Sequence, residues 1–141
     1  MKHLIKGKIY YEDTDCWGVV YYANYLKYFE RARTELFESR GMDLKKLMEE
    51  GIFFVVVEAN LRYLLPGRYG DIFSVETSVG KIGAASILFS HRVLREGTGE
   101  SIVEGSVKIG CVGRNLKPMR LRSDISGAFK DFAQLAGMTD G

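Results

Sequence analysis

Cysteine, proline and histidine are scarce in this sequence, and each shortage excludes a class of protein. Two cysteines in 141 residues are too few for a disulfide framework, so a cytosolic protein is expected. Two prolines, with no serine- or proline-rich tract, give no sign of a linker, and the length predicts one domain over residues 1–141. The two histidines, His3 and His91, lack metal-ligand spacing, so neither a metal site nor a cofactor is predicted.

Long apolar runs and a large excess of one charge are also missing. No run approaches the length of a membrane span, and residues 1–10 lack the apolar stretch of a signal peptide. Lysine and arginine together number 20, against 18 aspartates and glutamates, and this balance gives no support for general nucleic-acid binding. The sequence therefore predicts neither a transmembrane segment nor a nucleic-acid partner.

The most informative stretch is residues 11–37, which joins an acidic turn to a predicted helix. Residues at helical spacing form one continuous apolar stripe, which comprises Tyr25, Tyr28, Phe29, Ala32 and Leu36. The charged residues of this segment fall mostly off the stripe: Lys27, Glu30, Arg31, Arg33, Glu35 and Glu38. Asn24 is predicted to cap the helix start through its side-chain oxygen, and Gly41 to close its end in a left-handed conformation.

The remaining elements follow from changes in periodicity along the chain. A first strand is predicted over residues 3–11, and a short helix capped by Asp43 over 43–50. From Ile52 a dense β-branched and aromatic run is typical of a strand with both faces covered. Alternating strands follow at 71–79, 84–95 and 102–112, with a turn marked by Gly80 and Gly83. Ser123 then starts a C-terminal helix with apolar Ile125, Phe129, Phe132 and Ala136.

This order of elements predicts an α+β protein. Its long apolar helix has one large surface to cover it, so we expect a roughly five-stranded antiparallel sheet wrapped around that helix. The strands are too apolar for one face to meet water. The surplus indicates a buried subunit interface, and a homodimer or larger assembly is expected.

The same stretch resembles a known family signature. The matching residues are Asp13-Thr14-Asp15, Gly18-Val19-Val20-Tyr21, Asn24-Tyr25 and residues 30–35. They are similar to the signature of the 4-hydroxybenzoyl-CoA thioesterase-type hotdog proteins, and within them of the YbgC-like acyl-CoA thioesterases. The resemblance implies a hotdog fold, hydrolysis of an acyl-CoA thioester to a free acid and CoA, and a dimer with sites at its interface, commonly paired into a tetramer.

The catalytic residues follow from the resemblance and from the chemistry of thioester hydrolysis. The second aspartate of the family's D-x-D pattern is catalytic, which places the role on Asp15, as general base or as nucleophile. Backbone N–H groups at the helix start suit the developing oxyanion, and the family places that amide at Tyr22. Several relatives carry histidine where this chain has Tyr22, so a backbone role survives the change and an imidazole role does not. Gly18, Val19 and Tyr25 are the predicted substrate-binding residues.

Cations that suit the phosphates of CoA lie elsewhere in the chain. Arginine pairs with phosphate through two parallel bonds, so the candidates are Arg62, Arg92, Arg114 and Lys117. The dense, loop-borne cluster from Arg114 to Arg122 is the best of them. A solubilising surface charge is the alternative for each.

Other residues and functions compete with this interpretation. Asp13 is interpreted as structural, Cys16 as a small packing residue, and Glu58 as a partnered or edge residue rather than a second catalytic carboxylate. A hotdog hydratase or dehydratase requires a histidine paired with an acid near the helix, and no histidine lies between His3 and His91. A non-catalytic acyl-CoA-binding module remains the other alternative.

Overall fold

The computed structural model describes residues 2–140, with side chains described as far as Phe132. The chain forms a one-turn 3-10 helix at Tyr11–Asp13 and the following strands and helices: β1 (His3–Lys8), α1 (Asn24–Ser39), α2 (Leu44–Glu49), β2 (Phe53–Tyr63), β3 (Ile72–Ile82), β4 (Ser86–Arg95), β5 (Ser101–Val112) and α3 (Ser123–Asp140). The predicted order of elements is confirmed. None of the described helices has the length and apolarity that crossing a membrane requires.

The five strands form one antiparallel sheet in the order β1-β3-β4-β5-β2. Its concave face covers α1, whose predicted stripe is confirmed because Phe29, Ala32 and Leu36 are fully buried. α3 closes one end of this core, where the Phe129 ring meets Phe37 edge-to-face at a centroid distance of 4.8 Å. The architecture is the α+β hotdog fold, as predicted. The predicted apolar position Ala136 has a side chain outside the described residues.

The predicted alternation of β3, β4 and β5 is confirmed. In β3 the residues Phe73, Val75, Thr77 and Val79 all face the core and are buried. Two predicted strand ends were wrong. β1 stops at Lys8 and not at residue 11, because the chain turns into the 3-10 helix there. β3 continues through Gly80 to Ile82 and pairs there with Ile87. A register shift between Val79 and Ile82 absorbs the glycine within the strand.

The two ends of α1 differ in how well the sequence predicted them. The predicted cap at Asn24 is wrong: Ala23 occupies the cap position without a side-chain bond, and Asn24 Nδ2 instead donates to the carbonyl of Asp13 at 2.8 Å. Gly41 does close the helix, at φ 77°. The N–H of Gly41 donates to the carbonyl of Glu38, and the N–H of Met42 donates to the carbonyl of Phe37. These two hydrogen bonds define a Schellman motif.

β2 departs from the expectation of a strand covered on both faces. It is an edge strand that pairs with β5 alone, and a bulge shifts its register between Val56 and Glu58. The side chains of Val56 and Val57 are 54% and 57% exposed. Among the described residues, no strand pairs with the outer edge of β2, and these apolar side chains remain uncovered in the single chain.

Arg33 was grouped with the charged residues that fall mostly off the apolar stripe of α1, and it is buried. Its Nη1 lies 3.3 Å from Nε2 of His91, whose Nδ1 lies 3.0 Å from the hydroxyl of Thr77. His91 and Thr77 lie on the core face of their strands, between apolar neighbours. The period-two pattern of these strands therefore indicated that both side chains are buried. The core is therefore crossed by a polar row that links α1 to β4 and β3.

Candidate active site

The acidic turn before α1 is built around Asp13. Its Oδ2 accepts the backbone N–H of Tyr10 at 3.0 Å, and its carbonyl accepts both the N–H of Tyr21 at 3.0 Å and Nδ2 of Asn24 at 2.8 Å. The side chain is buried. These bonds fasten the turn to the start of the helix, in agreement with the structural role that the sequence indicated for Asp13.

Asp15 lies on the exposed side of this turn. Its Oδ1 accepts the N–H of Trp17 at 2.8 Å, its N–H donates to the carbonyl of Val19 at 2.9 Å, and its carbonyl accepts the N–H of Gly18 at 3.1 Å. Gly18 adopts φ 74°, a conformation that a residue with a Cβ takes only at a cost. The carboxylate is thus held on a tight turn, and in the single chain it faces solvent.

Several backbone N–H groups at the start of α1 lack a protein acceptor. Those of Tyr22, Ala23 and Tyr25 meet no hydrogen-bond acceptor among the described residues, whereas those of Tyr21 and Asn24 are bonded. The first N–H groups of a helix have no partner within the helix, and the helix dipole makes that end favourable for negative charge. The amide that the family pattern assigns to Tyr22 is one of these groups.

An apolar groove of about 340 Å³ adjoins these amides. It is lined by Val19, Val20, Tyr22, Tyr25, Tyr63, Leu64, Leu65 and Pro66. Three predicted site residues, Val19, Tyr22 and Tyr25, therefore come together here. Asp15 does not line the groove in the single chain, but its N–H is bonded to the carbonyl of Val19 on the groove wall.

Tyrosines fix the walls of the groove. The hydroxyl of Tyr25 accepts the N–H of Gly67 at 3.2 Å, and burial raises the pKa of Tyr25 above its ordinary value. The hydroxyl of Tyr63 donates to the carbonyl of Tyr22 at 3.2 Å, and the two rings meet edge-to-face at 6.3 Å. Sequence reasoning missed the contribution of residues 63–66. They follow β2 and reach the start of α1 only through the fold.

The four predicted CoA-binding cations do not form one cluster: Arg62 and Arg92 lie on either side of Glu104 in the sheet, and Arg114 and Lys117 lie elsewhere. Arg62 faces away from its groove-lining neighbour Tyr63 and lies opposite Glu104 on β5. Arg92 donates Nε and Nη2 to one oxygen of Glu76, at 3.2 and 2.9 Å.

Arg114 and Lys117 follow β5, whose end pairs with the start of β2, far along that strand from the groove. Arg114 Nη2 donates to the carbonyl of Glu49 at 2.8 Å, and Lys117 is exposed. Arg122, the far end of the same basic cluster, is paired with Glu50 and Asp124.

The structure also gives the positions of Cys16 and Glu58. Cys16 is exposed, so its interpretation as a packing residue is wrong. It follows Asp15 at the surface of the turn, where it has no core to fill. Glu58 lies on the edge strand directly opposite Lys108, in agreement with the expected edge position.

Residues 10–129 match the family model of the thioesterase-like superfamily. The chain belongs to this superfamily. It is 37% identical over 124 residues to the acyl-CoA thioesterase YbgC of Haemophilus influenzae, an alignment that covers 86% of this chain and 90% of that one. It is 35% identical over 125 residues to the acyl-CoA thioester hydrolase YbgC of Escherichia coli O157:H7, covering 87% and 92%.

Solved structures of the superfamily share the fold. The DHNA-CoA thioesterase of Staphylococcus aureus superposes with a TM-score of 0.91 at 25% identity, covering 98% of this chain and 95% of that one. The superfamily membership and the YbgC relatives identify the chain as a thioester hydrolase.

Proposed function

We propose that this protein hydrolyses an acyl-CoA thioester to a free acid and CoA, with Asp15 as the catalytic carboxylate and the backbone N–H of Tyr22 polarising the carbonyl. The observation that carries the proposal is the unpaired N–H of Tyr22 at the start of α1, beside an apolar groove and seven residues after Asp15. The thioesterase membership supplies the reaction class, and the YbgC relatives support acyl-CoA as the substrate.

The chemistry divides between the carboxylate and the amide. As a general base, Asp15 takes a proton from water while the water oxygen bonds to the thioester carbon, and the carbonyl oxygen becomes an oxyanion held by the Tyr22 N–H. The C–S bond then breaks, and the CoA thiolate leaves and takes up a proton. As a nucleophile, Asp15 itself displaces the thiolate and forms an anhydride that water hydrolyses. An acyl group bound covalently to Asp15, detected by mass spectrometry of protein quenched during turnover, distinguishes the two routes, because only the nucleophilic route forms it.

The proposed role of Tyr22 is testable at the backbone. Tyr22→Pro removes the N–H and is expected to lower kcat about 10²–10³-fold, the usual effect of losing one oxyanion donor. Tyr22→Phe keeps the N–H and most of the ring and is the matched control, so it should retain most activity. Equal loss in both variants would show that the hydroxyl, and not the amide, matters. Loss in neither would remove Tyr22 from the mechanism.

The groove supports an uncharged acyl group as the preferred substrate. Its lining consists of tyrosine rings and aliphatic side chains, without a charged residue or a histidine. A charged acyl group would lose its hydration there without a compensating partner. The absence of a histidine from the lining also favours hydrolysis over a hydratase reaction.

A homodimer completes the proposal. β2 is an edge strand of eleven residues with exposed valines. Proteins either cover such an edge by pairing it with another strand or protect it with charged side chains. Tyr63, at the end of β2, and Tyr22 beside it are exposed as well. A second copy whose β2 pairs antiparallel with this one would cover the edge, and the mass in solution separates a dimer from a tetramer.

A panel of acyl-CoA thioesters tests the reaction. Free CoA, followed with a thiol-reactive dye, should appear in equal amount with the carboxylic acid, and faster for uncharged acyl groups than for those ending in a carboxylate. A non-catalytic binding module would bind the thioesters without releasing CoA. That result would contradict the proposal.

A further inference from the structure

Arg33 is a buried cation that forms no ion pair within its own chain among the described residues. The residue is 7% exposed, and Nη1 makes one contact, to Nε2 of His91 at 3.3 Å. Among the described residues, no carboxylate oxygen lies within 4.0 Å of its guanidinium. A guanidinium has five N–H donors, so most of them remain without a protein acceptor here.

His91 cannot compensate this charge, because it is neutral. Burial, and then the neighbouring Arg33, lower the pKa of His91 to about 3. Its Nε2 therefore accepts from Arg33, and its Nδ1–H donates to Thr77. Burial lowers the pKa of Arg33, and Glu30 of the same chain raises it from beyond ion-pair distance. Buried cations in proteins are normally paired directly with a carboxylate, and Arg33 has no such partner among the described residues of its own chain.

A cavity of about 160 Å³ opens beside Arg33 on the side of the exposed edge strand. Its walls include Phe54 and Val56 of β2 and Glu30 and Thr34 of α1. Glu30 is exposed and forms no ion pair among the described residues. The face that presents the buried cation therefore also presents an unused carboxylate one helical turn away.

Arg33 lies level with the middle of β2. Near one end of α1, the Phe29 ring and Leu61 of β2 both adjoin Gly105, and near the other the Phe37 ring lies 5.2 Å from that of Phe54. Arg33 is midway between these two contacts. A two-fold axis through the centre of two paired antiparallel β2 strands would therefore pass close to Arg33 and Glu30.

We propose that Glu30 of a second copy enters this cavity and pairs with Arg33, while Glu30 of the first copy does the same in return. In a two-fold interface, if residue i contacts residue j, then j contacts i. The α1 helices of the two copies run in opposite directions there, so Glu30 and Arg33, one turn apart, exchange partners. The inference rests on the dimer of the proposed function and is independent of the proposed chemistry.

The test compares the dimer dissociation constants of the wild-type protein and Glu30→Gln, measured by analytical ultracentrifugation. The urea concentration is chosen so that the wild-type protein dissociates within the accessible range of protein concentration. Removing one member of a buried charge pair should raise the constant at least about thirtyfold. Glu35→Gln is the matched control, because Glu35 is exposed on α1 about 140° around the helix from Glu30, and it should leave the constant unchanged.

Each other outcome overturns the inference. A wild-type protein that is monomeric throughout would remove the dimer as well as the pair. A dimer unaffected by Glu30→Gln would remove the pair alone. If Glu30→Gln instead lowers the stability of the dissociated monomer and leaves the dissociation constant unchanged, then Glu30 pairs with Arg33 of its own chain.

Discussion

Replacing Asp15 by asparagine should abolish most of the activity while leaving the turn intact. Asp15 Oδ1 accepts the N–H of Trp17 at 2.8 Å, and an asparagine oxygen can accept the same bond. The bonds to Val19 and Gly18 use the backbone of residue 15 and do not depend on its side chain. The side chain is exposed and buries no surface, so the free energy of unfolding should change by less than about 0.5 kcal/mol.

The chemical effect of the same substitution should be large. An amide cannot take a proton from water, and it does not displace a thiolate. General acid–base catalysis typically contributes about 10²–10⁴-fold, so kcat should fall by this factor, which corresponds to about 3–5 kcal/mol of barrier. The assay is release of CoA, followed with a thiol-reactive dye, on the thioester that the wild-type protein hydrolyses fastest.

Removing a different carboxylate of the same turn shows whether the loss of activity is specific to Asp15 or follows from the change of charge alone. Glu12 is an exposed carboxylate in the 3-10 turn just before Asp15, so Glu12→Gln should keep wild-type activity. Thermal unfolding of both variants checks that the fold is retained. A fully active Asp15→Asn protein with an unchanged Tm would refute the assignment, because the carboxylate would then take no part in the reaction.

Three further substitutions test the groove and the core. Gly67→Ala places a Cβ 2.7 Å from the Tyr25 hydroxyl, so it should destabilise the protein by about 1–3 kcal/mol and lower kcat/KM, as measured by thermal unfolding and steady-state kinetics. Phe29→Ala empties the fully buried site where this ring stacks on His91 at 4.5 Å, and should lower the free energy of unfolding by about 3–5 kcal/mol in urea titrations. The pKa of His91 lies near 3 in the folded protein and near 6.5 when unfolded, so stability should fall as the pH drops below 6.5, by up to about 1.4 kcal/mol per pH unit. Urea unfolding at pH 7 and pH 5 should show a smaller difference for His91→Gln than for the wild-type protein.

Local patterns were sufficient for most of the elements. The buried face of α1 follows from helical spacing, and those of β3 to β5 from alternation, because each pattern reflects the geometry of a single element. Gly41 ended its helix as predicted, because only a residue without a side chain takes that conformation freely. Asn24 failed as a cap because its amide finds a better partner in the carbonyl of Asp13, which the sequence does not place beside it.

The sequence predicts one part of the candidate site, and only the fold supplies the other. The motif carries Asp15, Gly18 and the Tyr22 amide on one short segment, so a sequence pattern can predict them together. The opposite wall of the groove comes from residues 63–66, which lie some forty positions further along the chain. The proposed CoA cations were chosen by chemistry alone, and the register pairs Arg92 with Glu76 and places Arg62 opposite Glu104.

The sequence by itself determined the helices, the strands, their buried faces and the turn that carries the carboxylate, because these depend on neighbours within a few residues. Only the tertiary structure decided that β2 is an open edge, that the Tyr22 N–H adjoins an apolar groove, and that Arg33 is buried beside a neutral histidine. The physical reason is that hydrogen-bond partners, exposed edges and compensating charges are set by residues distant in sequence, which the chain brings together only on folding.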